Sequence, residues 1–349
     1  MLMQVENLRI YAQAYAQWPE PAYLQTAHDI QRYLQTFLTS ADGAFYTSQD
    51  ADLVPGEHAA DYFSLDDAGR RARGIPRIDT HCYARENGWA ITALCTLAGV
   101  TGDEAALHDA ERAAQWVLAH RALPDGGFRH DEVDAAGPYL GDALAMGRAF
   151  FALYQTTGNG AWLTRAEAAA DFIGAHFAHG DAPGFATADT TRKTFPVSQP
   201  QFDEALALAR FANLLAHATG RASDRALAES ALRWVLAPEI VRGHGPYVGG
   251  ILLAEEELRT EPLHVTIVGR KDDPAAQALF LAAQRAPAAY KLIEWWDRRE
   301  GPPPRAEAIF PDFDRPAAFL CADGACSSPL FTTKALKARL EKATSVARN

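Results

Sequence analysis

Thr-Gly occurs at Thr101-Gly102, Thr157-Gly158 and Thr219-Gly220, at nearly equal spacing, and each copy opens the same downstream pattern. At the same offset after each glycine stands a large aromatic: Trp116, Phe172 or Trp234. Further on comes a glycine beside another aromatic: Gly127-Phe128, Gly184-Phe185 and Gly245-Pro246-Tyr247. An earlier unit fits, with Pro19 at the glycine position, Tyr33 at the aromatic position, and Gly43-Ala44-Phe45 closing it. A regular period that carries two helical stretches and one turn is a repeated helical hairpin, whose apolar face is buried only by stacking on its neighbours. The repeat predicts antiparallel hairpin helices with Trp116, Phe172 and Trp234 buried between layers.

Local patterns place the elements. Leu2, Val5, Leu8, Tyr11 and Tyr15 fall on one face of a helix that Trp18-Pro19-Glu20-Pro21 stops. A second helix runs from about 22 to 38, and others lie near 86–100, 104–121, 139–156, 161–178, 201–218 and 223–236, rich in Ala and Leu. Residues 47–80 interleave Asp50, Asp52, Asp61, Asp66 and Asp67 with Gly and Pro without a period, which reads as a long inserted loop. Beyond Leu263 the texture changes. The β-branched run His264-Val265-Thr266-Ile267-Val268-Gly269, the helical stretch 275–285 and a second strand at 290–295 make a β-α-β unit, with 317–321 as a third strand. Gly301-Pro302-Pro303-Pro304 reads as a stiff connector. The expectation is a mainly α chain: an incomplete α/α toroid over 1–261 and a small α/β layer over 262–349.

Composition narrows the function. Among 349 residues, 33 Lys and Arg stand against 44 Asp and Glu, a net charge of −11 without a basic run, which argues against nucleic acid and anionic membrane. No stretch approaches a membrane span, and the N-terminus lacks the apolar core of a signal peptide. Four cysteines in a chain of this length are no disulfide framework, so a reducing cytoplasm is expected, with Cys321 and Cys326 as free thiols. No His-x-x-x-His or His-Glu-x-x-His occurs, so no metal is expected, and Val268-Gly269-Arg270-Lys271 lacks the glycine pattern of a nucleotide loop. No cofactor is expected either.

Several ordered segments resemble a known family. Gly43-Ala44-Phe45-Tyr46 with Asp50-Ala51-Asp52, then Asn87-Gly88, Tyr139-Leu140-Gly141-Asp142, Val265 to Gly269 with Asp272-Asp273-Pro274, and finally Cys321 and Cys326 resemble motifs of the thioredoxin-domain-containing proteins of the spermatogenesis-associated type. The helical part of that family is similar to N-acylglucosamine 2-epimerases and other six-hairpin toroids. The resemblance implies a toroid with a carbohydrate-related ligand and sugar isomerase or epimerase chemistry. The alternative it implies is a non-enzymatic scaffold or binding subunit that works with a separate thioredoxin-like protein, because the family's thioredoxin domain with its Cys-x-x-Cys is missing here. Glu86 stands where the family has Trp, and Asp203-Glu204-Ala205 where it has Ser-Gly-Asn.

In a toroid, the loops at one end and the starts of the inner helices form a funnel. The candidates there are Asp50, Asp52, Asp142 and Glu204 for catalysis, and Tyr46, Arg85, Glu86, Asn87, Trp89, His130, Tyr139 and Asp203 for ligand binding. Such a set supplies carboxylates for sugar hydroxyls, aromatic faces for a ring, and an acid and a base. The same residues have structural readings. Asp50 and Asp52 suit turns or helix starts, Asp203 and Glu204 suit the positive end of a helix dipole, and His130 suits an exposed loop. A surface left uncovered near Leu2, Val5 and Leu8 would make the N-terminal hairpin a site for a homodimer or a hetero-complex.

Overall fold

The computed structural model describes residues 1–54, 56–180, 182–189, 198–302, 310–322 and 325–346. The described chain is mainly helical. Four antiparallel hairpins follow one another: α1 (Leu2–Gln17) with α2 (Pro21–Phe37), α5 (Ala84–Thr101) with α6 (Glu104–His120), α7 (Leu140–Thr157) with α8 (Gly160–Phe177), and α9 (Phe202–Thr219) with α10 (Ala222–Val235). Between the first two hairpins lie β1 (Ser48–Gln49), α3 (Ala60–Phe63), α4 (Asp67–Arg73) and β2 (Ile78–Asp79), so the expected loop holds two short helices and an antiparallel strand pair. After α10 come α11 (Pro238–His244) and α12 (Gly249–Arg259). Helices α1, α5, α7 and α9 lie side by side, each backed by its hairpin partner.

The Thr-Gly repeat is a helix stop. Gly102, Gly158 and Gly220 end α5, α7 and α9 in the left-handed region, at φ of 82°, 68° and 71°, which costs a glycine nothing. The threonine before each glycine works twice. Its hydroxyl donates to the carbonyl four residues back (Leu97, Leu153, Leu215) and accepts the N–H two residues on (Asp103, Asn159, Arg221). Asp103 and Asn159 then cap the next helix through their side chains.

The repeated aromatic of the outer helix and the closing Gly-Phe form a single contact between neighbouring repeats. Phe45, Phe128 and Phe185 are buried and bridge back to Thr39, Ala122 and Ala178. A methyl added to Gly127 would lie 2.3 Å from the Phe172 ring, and one added to Gly184 would lie 2.8 Å from Trp234. The outer helix of one hairpin thus presses its aromatic onto the turn of the previous one. Phe172 is buried, but Trp116 and Trp234 are only partly so, against expectation. Trp116 closes an outer flank, stacked on His120 and covered by the Arg121 guanidinium. The fourth closing turn also departs from the pattern. Gly245-Pro246-Tyr247 follows α11 rather than a hairpin, and Tyr247 is 81% exposed.

The remaining elements are β3 (Leu263–Val268), α13 (Pro274–Gln284), β4 (Lys291–Trp296), the 3-10 turn Arg298–Glu300, β5 (Ala317–Ala322), β6 (Ala325–Cys326) and α14 (Thr333–Val346). The sheet order is β4-β3-β5-β6, with β3 and β4 parallel and β5 antiparallel to β3. Pro303 and Pro304 of the expected connector lie outside the described residues. This layer docks on helix C-termini, where carbonyls lack partners. Arg285 donates to Val100 and Thr101 O, Lys271 to Gly158 O, and Gln284 to Gln155 and Thr156 O.

Two expectations fail here. Val5 and Leu8 are buried (1% and 0% exposed) against the neighbouring helices, leaving Leu2, Met3 and Ile10 as the exposed large apolar residues of α1. Cys321 and Cys326 form a disulfide, not free thiols, because the β5–β6 register sets them directly opposite each other. Cys82 and Cys95 are buried free thiols. No helix among the described residues is long and apolar enough to cross a membrane.

Candidate functional site

The three central inner helices begin at one end of the toroid, and each carries an acid as its third residue: Glu86, Asp142 and Glu204. Each acid stands at the same separation from the glycine that stops its helix, so the three are equivalent positions of the repeat. A carboxylate in a first turn is favoured by the helix dipole. The loop residue two positions after each closing Phe is also equivalent: Thr47, His130 and Thr187.

These two series meet. The His130 carbonyl accepts the first N–H of α5, from Ala84, at 3.1 Å, while His130 Nδ1 reaches Asp142 Oδ1 of the next inner helix at 3.0 Å. The Thr187 carbonyl likewise accepts the first N–H of α7, from Leu140, at 3.0 Å, and its hydroxyl donates to Glu204 Oε2 of the next helix at 2.6 Å. Each loop therefore stitches one inner helix to the next. In the first copy the corresponding Thr47 Oγ1 and Glu86 Oε2 are both buried without a hydrogen-bond partner among the described residues. An imidazole replaces the hydroxyl in the middle copy alone, and that departure singles out His130.

The surroundings hold the imidazole in place. Tyr83 stacks on His130 with centroids 4.2 Å apart, Tyr139 meets it edge-on at 5.9 Å, and His81 stacks on the far side of Tyr83 at 5.6 Å. His81 Nδ1 lies 2.5 Å from Asp79, and Arg121 Nη2 lies 3.3 Å from Asp131. With Nδ1 donating to Asp142, the Nε2 of His130 has no partner among the described residues. Asp142 is 1% exposed and also accepts the Arg85 N–H at 2.9 Å.

The Arg85 guanidinium binds Glu86 at 3.0 Å and lies over the Trp89 ring. Gly141 lets α7 approach this group: a methyl there would sit 2.8 Å from Glu204 Oε1 and 3.2 Å from Arg85 Cδ. Electrostatics follow the geometry. The hydrogen bond to Asp142 holds His130 above the ordinary histidine value, while burial pushes the Asp142 carboxyl up. Burial also raises Glu204, with the Asp142 charge adding to it against Thr187 and Arg85.

Of the expected site residues, the structure brings together Arg85, Glu86, Trp89, His130, Tyr139, Asp142 and Glu204. Asp203 is exposed beside them in the first turn of α9. Others lie elsewhere. Asp50 is exposed and paired with Arg77 at 3.2 Å, and no described contact joins it or Asp52 to the Asp142 group. Asn87 is wholly buried, and its amide is consumed by the Phe45 N–H, the Phe45 carbonyl and the Tyr83 carbonyl. It clamps the closing turn of the first hairpin. Tyr46 packs on the core. Sequence reasoning missed His81, Tyr83 and Thr187; aligning the repeats with each other would have found Thr187, through its equivalence to His130.

Solved structures share this fold. A sugar epimerase from a ruminal bacterium is 18% identical over 66% of this chain and 58% of its own, with a TM-score of 0.52. The cellobiose 2-epimerase of Bacillus thermoamylovorans is 12% identical over 66% and 59%, at 0.53. A D-mannose isomerase is 14% identical over 74% and 76%, at 0.51. The chain spans less than two thirds of the first two. No family model and no curated protein matches the sequence. The chain is therefore an α/α toroid of the kind that these epimerases share.

Proposed function

We propose that the group at the starts of α5, α7 and α9 binds a monosaccharide and moves a proton at the carbon next to its carbonyl, as a sugar epimerase or isomerase does. The observation that carries this reading is the His130–Asp142 pair, the one copy among three equivalent pairs in which a titratable imidazole replaces a hydroxyl. Nε2 of His130 takes the proton from C2 of the open-chain sugar. The C–H electron pair forms the C1–C2 double bond, and the carbonyl oxygen becomes an enolate oxygen, whose charge Arg85 offsets. Glu204, whose carboxyl burial raises above the ordinary carboxylate range, is placed to return a proton. Delivery to the opposite face of C2 re-forms the C1 carbonyl and gives the epimer, whereas delivery to C1, with the O2 hydroxyl proton passing to O1, forms the C2 carbonyl and gives the ketose. Trp89 and Tyr139 offer ring faces to the sugar.

The names of the structural neighbours support a carbohydrate ligand, as fold-level analogy. Asp50 and Asp52 have no step in this scheme. Partnership with a thioredoxin-like chain rests on motif resemblance, and the homodimer on an N-terminal surface of which Val5 and Leu8 are buried. The test is interconversion of glucose, mannose and fructose, and of cellobiose, by wild type and His130→Gln. A fall of about 10²-fold or more in kcat with a nearly unchanged Tm supports the scheme; turnover that survives the substitution rejects it.

A further inference from the structure

Within the inner helices, burial is interrupted along one stripe. Between Ala84 and Val100 on α5 every residue is buried except Arg85, Trp89, Thr92 and Thr96; between Leu140 and Tyr154 on α7 only Arg148 and Ala152 are not. These steps of three and four residues keep one face of each helix toward a common space. Glu204, Ala207, Arg210 and Leu214 continue the pattern on α9. The stripe runs from the His130 group to a cavity of about 300 Å³ at the opposite end, lined by Thr96, Ala152, Gln155 and Leu214 and roofed by the α/β layer at Lys291 and Ile293.

Arg148 lies part-way along this stripe, between Asp142 and Ala152 of α7. Six residues separate it from Asp142, about 9 Å along the helix. Its charged neighbours are Glu6, Arg9 and Arg210. Both neighbouring arginines are already paired: Arg9 with Glu6 at 2.6 Å, and Arg210 with both oxygens of Glu257 at 2.8 Å. Among the described residues, Arg148 has no hydrogen bond and no ion pair. Three guanidinium groups thus face two carboxylates, inside a protein whose net charge is −11. Desolvation by the surrounding protein lowers the Arg148 pKa, and the Glu6 charge opposes this only in part. A half-buried guanidinium without an ion pair keeps its N–H donors open to an anionic ligand.

We propose that Arg148 is an anion subsite, binding the phosphate or carboxylate of a charged monosaccharide whose other end reaches the His130–Asp142 pair. This rests on the sugar reading above for the identity of the ligand, and the spacing suits an extended six-carbon chain carrying an anionic group at its far end. A planar guanidinium takes either anion through two parallel hydrogen bonds.

Titration calorimetry with mannose, mannose 6-phosphate, mannuronate and inorganic phosphate tests the subsite. Wild type should bind at least one charged sugar about tenfold or more tightly than mannose, and the favoured one identifies the anionic group. Arg148→Met should erase that margin while leaving affinity for mannose; Arg148→Gln is the substitute if the Met variant does not fold. A wild type that binds all three sugars equally, or a margin that survives either substitution, overturns the subsite. The two proposals fail separately. If no sugar binds but phosphate binds in an Arg148-dependent way, the subsite stands and the sugar reading falls. If mannose is bound or turned over with no margin for its charged forms, the sugar reading stands alone.

Discussion

His130 and Asn87 both lie beside the closing turns of hairpins, yet one has a ring nitrogen without a partner among the described residues and the other has its amide oxygen and nitrogen both bonded. For His130, the raised pKa is a linkage statement. The folded state favours the imidazolium, so this stability contribution is fully present below the ordinary value near 6.5 and is lost as pH rises through the higher folded value. NMR titration of the imidazole should therefore give a pKa above 6.5 in wild type and a lower one in Asp142→Asn, where the carboxylate that stabilises the cation is gone. Equal values would remove the pairing. For Asn87, the expectation is structural: Asn87→Ala strands the buried N–H and carbonyl of Phe45 and should cost about 2–4 kcal/mol in denaturant unfolding. Both residues were visible as candidates in the sequence. What separated them was the count of partners, which sequence alone does not contain. His81 and Tyr83 were invisible because they fall between the segment without a period and the start of α5, directly after the β1–β2 pair.

The hairpin was legible because its signals are local. Thr-Gly is a stop built from bonds between near neighbours in the chain, and any chain that needs a left-handed cap with a hydroxyl beside it writes those letters. The link between the outer-helix aromatic and the closing Gly-Phe was legible as a spacing but not as a contact, since the partners belong to successive hairpins. Its strength is open to test. Gly127→Ala should destabilise by about 1–3 kcal/mol through overlap with the Phe172 ring, and combination with Phe172→Leu should recover part of that loss, giving a coupling in a double-mutant cycle. Strict additivity would mean that the contact is incidental. Burial also ranks the aromatics. Phe172→Ala should cost about 3–5 kcal/mol, and Trp116→Ala clearly less, because the partly exposed Trp116 closes a flank rather than filling a layer. The fourth copy misled for the same reason that the others informed: Gly245-Pro246-Tyr247 has the right letters, but α11 intervenes and no strand bridge forms among the described residues.

At the scale of the molecule, the toroid and the β-α-β layer were both readable from period and composition, while their junction was not. That junction depends on Arg285, Lys271 and Gln284 capping helix ends more than a hundred residues away in sequence. A buried relay joins the same two parts: Tyr154 of α7 donates to Glu294 of β4 at 3.1 Å, and His264 of β3 lies 2.6 Å from the other Glu294 oxygen. The disulfide escaped for a related reason. The short separation of the two cysteines says nothing until the strand register sets Cys321 opposite Cys326, and the bond removes the compositional ground for placing the chain in a reducing compartment. We propose that one end of this toroid carries out proton transfer on a sugar. Incubation of the protein with mannose, mannose 6-phosphate or cellobiose in D₂O, followed by NMR of the C2 position, addresses that claim without assuming which product is released. The expected result is deuterium at C2 of at least one sugar, absent with His130→Gln; no exchange above the protein-free rate in any of them, from folded protein, would contradict it.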